Sequence, residues 1–276
     1  MKKTSIVIIG FLGGLLFTFS QQKTVPTVEE IYNKYITAIG GKEKLSNIVS
    51  KKEVRAISHE YEIKGQSAKQ QTFIEQDIGF VDTQKSQAAY ITRFIKPDGS
   101  TVLTKQLTAN GKTTTLLPNG EKKVTNTLPD SFKEGCFPTT VISPGSEVLP
   151  NEIFNGTEAY VIHSKTNISH NKWDTYVYFD RDSGLLIGDK LIGKNNTLNT
   201  SYLRIREYSE YKEVQDILVF HKITQHIKSV SSNAISIKID NRIYKVIATE
   251  FNTDIEDFKQ NCFQKPEECF AQYIKK

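Results

Sequence analysis

The chain has 276 residues and a formal net charge of +5 at pH 7. A leader of twenty residues, described next, would remove Lys2 and Lys3 and reduce the 36 basic side chains to 34, against 31 acidic ones. So small an excess argues against a nucleic-acid-binding protein, in which basic residues cluster on one face. The 256 residues that remain are compatible with a single domain.

The N-terminus has the three parts of a secretory signal peptide. Two lysines form a positive flank, an apolar run extends from Ile6 to Phe19, and the small residue Ser20 precedes polar sequence. A membrane anchor is the alternative, but the apolar run is shorter than the roughly 20 residues that span a bilayer. We therefore predict a cleaved signal peptide over residues 1–20 and an exported protein.

The first element of the mature chain is a predicted helix with recognisable ends. Thr27 and Glu30 fit a capping box, in which each side chain satisfies a free backbone N–H group. Gly40 and Gly41 end the helix. The apolar residues at helical spacing are Val28, Ile31, Tyr32, Tyr35 and Ile39. This stripe either binds a partner or packs on the domain's own sheet, and we favour packing. A short second helix is expected over residues 42–48.

From about Val54 the hydrophobic pattern changes to a period of two. Runs rich in β-forming residues, such as Tyr176–Phe179 and Ile217–Phe220, alternate with turn signals such as Asn110-Gly111. Asn-Gly supplies the positive φ angles that tight hairpins require. No helical crossovers separate the runs, so the pattern predicts an antiparallel meander in a mainly β domain.

A proline-rich segment over residues 127–151 interrupts the strand pattern. It contains Pro129, Pro138, Pro144 and Pro150, together with two glycines and Cys136. Because proline removes a donor from the hydrogen-bond ladder, this segment cannot be a central strand. A loop of this length inside a compact domain is either a functional lid or a surface excursion, and the sequence leaves both open.

Three cysteines follow the signal peptide. Cys262 and Cys269 are close in sequence, and an exported protein can form a disulfide. Closing so short a loop would stabilise the fold by about 2–3 kcal/mol. We predict this pair and leave Cys136 outside it. The spacing does not fit a zinc site, so no metal is expected. Pro266 then begins a short predicted helix that extends through Tyr273.

The motifs of common enzyme classes are absent from the sequence. It contains no G-x-S-x-G, no H-E-x-x-H, no Walker loop and no G-x-G-x-x-G. The five histidines are scattered, and Asp180–Gly184 fits a hairpin turn better than a calcium loop. We expect no catalytic residues, no cofactor and no enzyme activity. A hydrolase that uses scattered carboxylates or histidines is the remaining enzymatic alternative.

Aromatic residues on the strands suggest an apolar binding surface. Trp173, Val177 and Phe179 recur at a period of two and therefore share one face of a strand. The helix that carries Ile31, Tyr35 and Ile39 is the natural opposing wall. We predict these six residues as the ligand-binding set, and an ordinary core is the alternative.

The sequence resembles the LolA/LolB-like family of periplasmic lipoprotein carriers. The segments that carry the resemblance occur in order along the chain: Ile31–Ile48, Glu158–Ile162, Tyr178–Leu186, Phe220–Thr224 and Phe251–Phe258. The resemblance implies an incomplete, curved antiparallel β-barrel with helices that cover its open face, in which the acyl chains of a cargo lie between sheet and helices. It covers one domain over residues 21–276, and a C-terminal extension over 259–276 lies outside the pattern.

These observations predict a periplasmic protein that carries a lipid or a lipid-modified cargo. Secretion beyond the outer membrane is left open. The expected partners are lipid or lipoprotein acyl chains and envelope membrane proteins, and not nucleic acid. The first rival is an envelope interaction module whose barrel is filled by its own side chains. The resemblance places no family site residue on this chain, because fold transfers more safely than function.

Overall fold

The computed structural model describes residues 25–65, 69–126, 145–168, 171–195, 200–231 and 236–274. Within these ranges, all strands belong to one antiparallel sheet. The strands are β1 (Ser50–Lys64), β2 (Lys69–Asp82), β3 (Gln87–Ile95), β4 (Thr101–Ala109), β5 (Lys112–Leu116), β6 (Lys122–Asn126), β7 (Glu147–Phe154), β8 (Thr157–Ile168), β9 (Asn171–Asp180), β10 (Leu186–Asn195), β11 (Thr200–Val214), β12 (Ile217–Ser231) and β13 (Ser236–Phe251). The helices are α1 (Val28–Ala38), α2 (Lys42–Ser46), α3 (Ile255–Phe258), a π-helical turn (Lys259–Phe263) and α4 (Pro266–Tyr273). None of the described helices has the length and apolar character of a membrane span.

The sheet consists of two meanders, β1 to β6 and β7 to β13, which are joined where β1 pairs with β13. The order is β6-β5-β4-β3-β2-β1-β13-β12-β11-β10-β9-β8-β7, so the first and last strands pair at the centre. The sheet is curved and does not close, because β6 and β7 lie at opposite edges. The predicted mainly β fold, an incomplete antiparallel barrel, is confirmed.

Local turn chemistry sets several of the hairpins. Asn110 and Asn155, each followed by glycine, have φ angles of 53° and 48° in two-residue loops. In the turn after β9, the Asp180 carboxylate accepts hydrogen bonds from the N–H groups of Asp182 and Ser183 at 2.7 and 3.0 Å. These are the side-chain caps that the sequence predicted for a hairpin turn.

Helix α1 begins and ends where the sequence predicts. The Thr27 N–H donates to Glu30 Oε2 at 2.7 Å, and the Glu30 N–H donates to Thr27 Oγ1 at 3.2 Å, which completes the capping box. Ile31 and Tyr35 are buried on its inner side. The helix packs on one face of the sheet, over β8 to β12, and we call that side the α1 face.

The C-terminal helices cover the opposite side of the sheet, which we call the α4 face. Ile78 and Phe80 of β2 are fully buried there against Phe258 and Phe270. Ile78 follows Asp77, whose side chain points to the α1 face, and neighbouring strand residues point to opposite faces. The two helical covers therefore stabilise different halves and different sides of one sheet.

The disulfide predicted between Cys262 and Cys269 is present within this C-terminal cover. It joins the π-helical turn to α4, and both cysteines are 2% exposed. Three cations of the sheet also face aromatic rings of the cover: Lys52 over Tyr273, Arg93 over Phe270 and Lys105 over Phe263. The extension predicted at 259–276 thus packs as an integral layer on the α4 face wherever it is described.

Some sequence predictions concern residues outside the described ranges. These are the signal peptide over residues 1–20, Cys136, and residues 127–144 of the proline-rich insertion. The last part of that insertion, residues 147–151, belongs to β7. This strand is at a sheet edge and its register with β8 shifts between Leu149 and Glu152, around Pro150. A proline is tolerated there because an edge strand need not donate every N–H.

Candidate functional site on the α1 face

Five of the six predicted ligand-binding residues lie together under α1. Ile31 and Tyr35 of α1, with Ile39 at its C-cap, meet Val177 and Phe179 of β9. All five are at most 4% exposed. The rings of Tyr35 and Phe179 are 5.5 Å apart. These side chains fill the contact between helix and sheet, so an apolar ligand would reach them only if α1 moved.

Trp173 occupies a different position on the same strand. It is half-buried and lies about 13 Å from Val177 along β9, at the rise of a β-strand. Its ring covers Gly193, where any side chain would collide with it, and meets Tyr202 edge-on at 5.7 Å. The structure therefore does not bring Trp173 into the cluster under α1, although strand alternation keeps it on the same face.

A row of polar residues crosses the α1 face next to this apolar cluster. Residues that are paired across adjacent strands point to the same side of a sheet. The register gives one such row through seven strands: Val177, Asp189, Arg206, Gln225, Arg242, His59 and Phe73. We use the name polar row for the five polar residues of this row together with charged residues on the same face of neighbouring strand positions: Arg55, Glu75, Asp77, Arg204 and Asp240.

At one end of the polar row, the Asp189 carboxylate holds two arginines. Arg206 Nε donates to Asp189 Oδ2 at 2.8 Å, and Arg204 Nη2 donates to Oδ1 at 3.3 Å. The Tyr208 hydroxyl donates to Oδ2 at 2.6 Å, and its ring belongs to the apolar cluster. Burial raises the pKa of Tyr208 above its ordinary value, and the Asp189 charge adds to this effect. Tyr208 therefore joins the apolar and the charged parts of this face.

The other end of the polar row lies on β1, β2 and β13. His59 is 2% exposed, stacks on Phe73 at 4.2 Å, and has Nε2 at 3.0 Å from Glu75 Oε2. Arg242 donates to Asp240 through Nε and Nη2, at 3.0 Å to Oδ1 and 2.6 Å to Oδ2. The two groups approach each other, with His59 Nδ1 at 3.9 Å from Asp240 Oδ1.

Two neighbouring carboxyl groups at this end differ in acidity. The pKa of Asp77 is raised to about 6, first by burial and then by the nearby Glu75 carboxylate, despite the opposing charge of Arg55. Arg55 Nη2 donates to Asp77 Oδ2 at 3.1 Å. Burial alone would raise the pKa of Glu75, but the hydrogen bond and charge of His59 lower it instead. Asp77 is thus the group that takes up a proton first as the pH falls.

Three buried polar atoms of the polar row have no hydrogen-bond partner within the described part of the chain. They are His59 Nδ1, Asp77 Oδ1 and Arg204 Nε. Unpaired buried polar atoms are uncommon in folded proteins because they lose their water without replacement. The guanidinium groups remain partly open to solvent, since the side chains of Arg55, Arg204, Arg206 and Arg242 are 25–32% exposed. The polar row is therefore a partly open surface that retains unused hydrogen-bonding capacity.

The polar row was not predicted from the sequence, although the sequence carries a signal for it. Charged or polar residues recur at even spacings in Arg55-x-x-x-His59, Glu75-x-Asp77, Arg204-x-Arg206-x-Tyr208 and Asp240-x-Arg242-x-Tyr244. Such alternation places them all on one face. Among the described residues, no group of three or more His, Cys, Asp or Glu side chains is arranged to hold a metal ion.

A cleft of about 870 Å³ lies on the α4 face beside the C-terminal helices. Lys52, Glu250 and Tyr273 form a bonded group in its lining: Lys52 Nζ is 3.3 Å from Glu250 Oε1, and the Tyr273 hydroxyl donates to the same oxygen at 2.8 Å. These contacts also attach α4 to the sheet. They are satisfied within the protein, so we interpret this cleft as part of the C-terminal cover.

No protein-family model matches the chain, and no curated protein matches it. Several solved structures are similar to the chain. An outer membrane lipoprotein-sorting protein domain from Vibrio parahaemolyticus is 13% identical, covers 84% of this chain and 96% of its own, and has a TM-score of 0.42. A DUF1329 family protein from Desulfovibrio piger is 10% identical, with coverages of 87% and 99% and a TM-score of 0.44. A LolA superfamily protein from Nitrosomonas europaea is 7% identical, with coverages of 85% and 97% and a TM-score of 0.43.

These matches include the superfamily that the sequence resembles. The identities of 7–13% and the TM-scores below 0.5 leave the function to be inferred from this chain's own residues.

Proposed function

We propose that this protein is a non-enzymatic, exported envelope protein that binds an amphiphilic molecule, a lipid or a lipid-modified cargo, on its α1 face. The observation that carries this proposal is the arrangement of one face into two adjoining parts. An aliphatic and aromatic cluster lies under α1, and a row of half-exposed arginines lies directly beside it. A hydrocarbon chain and a polar head group need these two surroundings, in this order.

Helix α1 is suited to act as a movable cover for the hydrocarbon part. It packs on the sheet through side chains of one stripe, and one backbone bond, from the Leu218 N–H to the Ile39 carbonyl at 3.0 Å, joins its C-terminal end to β12. The helix is followed at once by Gly40 and Gly41, with φ angles of 135° and 88°. Glycine at such angles permits backbone conformations that other residues resist. Movement of α1 away from the sheet would uncover Val177 and Phe179. These two predicted residues are therefore part of the proposed site.

One specific observation favours the rival function, an interaction module without cargo. The five predicted residues under α1 are almost completely buried, and they pack on one another. If α1 stays in place, the apolar part of the face is consumed by the protein's own core. The head-group part of the site would then serve a polar segment of another envelope protein.

Native mass spectrometry of gently purified mature protein, followed by lipid extraction, tests the proposal. We expect acyl-containing species that co-purify at one per chain and dissociate on unfolding. Arg206→Gln should reduce their occupancy, because this arginine faces the open side of the polar row. Lys245→Gln is the matched control, since Lys245 lies exposed on the opposite face of β13. Protein that carries no acyl species and takes up no fluorescent fatty acid would support the interaction module instead.

A further inference from the structure

One end of the polar row carries an excess of positive charge. Arg204 and Arg206 share the carboxylate of Asp189, so two positive charges and one negative charge sum to +1. Asp240, two strands away, does not cancel this excess, because Arg242 already donates two hydrogen bonds to it. The side chains of Arg204 and Arg206 are 25% and 32% exposed, and Arg204 Nε is a donor without an acceptor among the described residues. This positive end of the polar row therefore lacks one anion.

Apolar side chains adjoin the positive end on the side away from α1. Arg204 is paired with Leu191 on one neighbouring strand and with Ile227 on the other, so both lie beside it on the same face. Tyr202 is two residues further along β11 and also points to this face. The ring of Trp173 meets that of Tyr202 edge-on at 5.7 Å. We call Trp173, Leu191, Tyr202 and Ile227 the open apolar surface.

The open apolar surface is not consumed by the protein's own core. Its four side chains are only partly buried, and within the described part of the chain none of them belongs to an apolar cluster under α1 or under the C-terminal helices. Val177 and Phe179, by contrast, are almost completely covered by α1. A hydrocarbon chain laid on the open apolar surface would remove exposed apolar area from water while α1 stays in place.

We propose that the positive end and the open apolar surface together bind a long-chain fatty acid. The carboxylate meets the exposed edges of Arg204 and Arg206, because planar guanidinium groups match the two oxygens of a carboxylate. The chain lies from there across Tyr202 toward Trp173. One carboxylate cancels the excess charge of +1, and four side chains in two neighbouring rows offer a narrow surface that suits a single chain. This inference rests on the proposed lipid binding, and it adds the ligand class and a position that needs no movement of α1.

The carboxylate separates a fatty acid from uncharged molecules with the same chain. Dodecanol has the hydrocarbon part of dodecanoate but no anion, so it would leave the excess charge and Arg204 Nε without a partner. Because a hydrogen bond to a charged group contributes about tenfold or more to an equilibrium constant, we expect dodecanoate to bind at least about tenfold more tightly than dodecanol. Dihexanoyl phosphatidylglycerol carries an anion with two short chains and therefore tests the preference for a single long chain.

The protein contains its own reporter for this position. Trp173 is the only tryptophan in the sequence, so tryptophan fluorescence reports on the open apolar surface. The experiment titrates the protein without residues 1–20 with stearic acid that is brominated near the middle of its chain, because bromine quenches tryptophan only at close range. We expect saturable quenching, which dodecanoate reverses at a concentration at least about tenfold lower than dodecanol does. All ligands are kept below their micelle concentrations, and native mass spectrometry of the same mixtures measures binding independently of fluorescence.

Each other outcome contradicts a different part of the inference. Binding of the brominated acid in native mass spectrometry without quenching would place the chain elsewhere, such as under α1, and leave lipid binding intact. Equal competition by dodecanol would overturn the role of the carboxylate. Stronger competition by dihexanoyl phosphatidylglycerol would overturn the fatty-acid class and leave lipid binding intact. No binding of any of these ligands would overturn both this inference and the proposed function.

Two variants separate the two parts of the site. Arg204→Gln should weaken dodecanoate about tenfold and leave dodecanol unchanged, whereas Lys245→Gln, on the exposed opposite face of β13, should change neither. Leu191→Ser should weaken both ligands, because both contain the chain. Its matched control is Ile192→Ser, at the next position of β10, where the side chain is 41% exposed on the opposite face. Equal effects of Leu191→Ser and Ile192→Ser would contradict the inference. If a variant unfolds, quenching and competition on the unaltered chain still decide between the outcomes.

Discussion

Asp189→Asn should be among the most destabilising single changes on the α1 face. The Asp189 side chain is 3% exposed and holds Arg204, Arg206 and the Tyr208 hydroxyl at once. The neutral amide retains the shape of the side chain but removes the charge. It leaves two adjacent guanidinium groups without a counter-ion, which is the costly way to disrupt a buried ion pair.

The magnitude follows from the exposure of the partners. Breaking a fully buried pair by removing one partner costs about 3–5 kcal/mol. Here the two arginine side chains are 25% and 32% exposed, so water relieves part of the cost. We therefore expect a loss near the low end, about 3 kcal/mol of unfolding free energy. For a domain of this size that corresponds to a fall in Tm of about 6–12 °C.

Urea and thermal unfolding of the protein without residues 1–20 measure this loss. Asp182→Asn is the matched control, because Asp182 lies exposed in the turn after β9. The control should change the unfolding free energy by less than about 0.5 kcal/mol. If Asp189→Asn were as mild as the control, Asp189 would not be the anchor of the two arginines, and the positive end of the polar row would lack its support.

Three further predictions test other parts of the molecule. Folding raises the pKa of Asp77 from about 3.9 to about 6, so the folded state binds more protons than the unfolded state between these pH values. The free energy of unfolding should therefore fall as the pH rises through this range. Urea titrations at several pH values should show this slope, and Asp77→Asn should reduce it. Removal of the disulfide by Cys262→Ser with Cys269→Ser should lower the free energy of unfolding by about 2.5 kcal/mol. Amide hydrogen exchange should then increase first in the C-terminal helices and not under α1. Phe179→Ala should lower the free energy of unfolding by about 3–5 kcal/mol. Trp173→Asp, at a half-buried position, should lower it by less and should weaken the uptake of a fluorescent fatty acid. An unchanged Tm with full uptake would show that Trp173 does not line the site.

The parts of the fold that the sequence predicted depend on residues close together in the chain. The capping box of α1 involves Thr27 and Glu30, the turn after β9 is built by Asp180 and its neighbours, and the disulfide spans seven positions. Hydrophobic periodicity then places each strand's faces without reference to its partners. Such features can be predicted from a short stretch of sequence. The meander can be predicted as well, because consecutive strands pair with each other.

The polar row could not be predicted in the same way. Its two ends come together because β1 pairs with β13, and residues such as His59 and Arg242 become neighbours across more than 180 positions. Which alternating residues face which others depends on that pairing and its register. The sequence showed aromatic residues and suggested an apolar cavity, while its alternating charges were not identified as part of a site. Tertiary pairing converts them into a connected charged surface.

The energetics of the polar row give a reason to prefer a binding function over a purely structural one. Desolvating charged groups offsets most of what their attraction contributes, and well-packed apolar residues in the same places are often equally or more stabilising. A sheet that needed only to be stable could have continued the apolar cluster of Phe179 and Tyr208 across β11 to β1. Instead, the row keeps Arg204 Nε, His59 Nδ1 and Asp77 Oδ1 buried and unpaired among the described residues, which costs stability. A partner that supplies an acceptor for Arg204 Nε and donors for the other two atoms would recover that cost on binding. This is the strongest physical argument that the α1 face is a site.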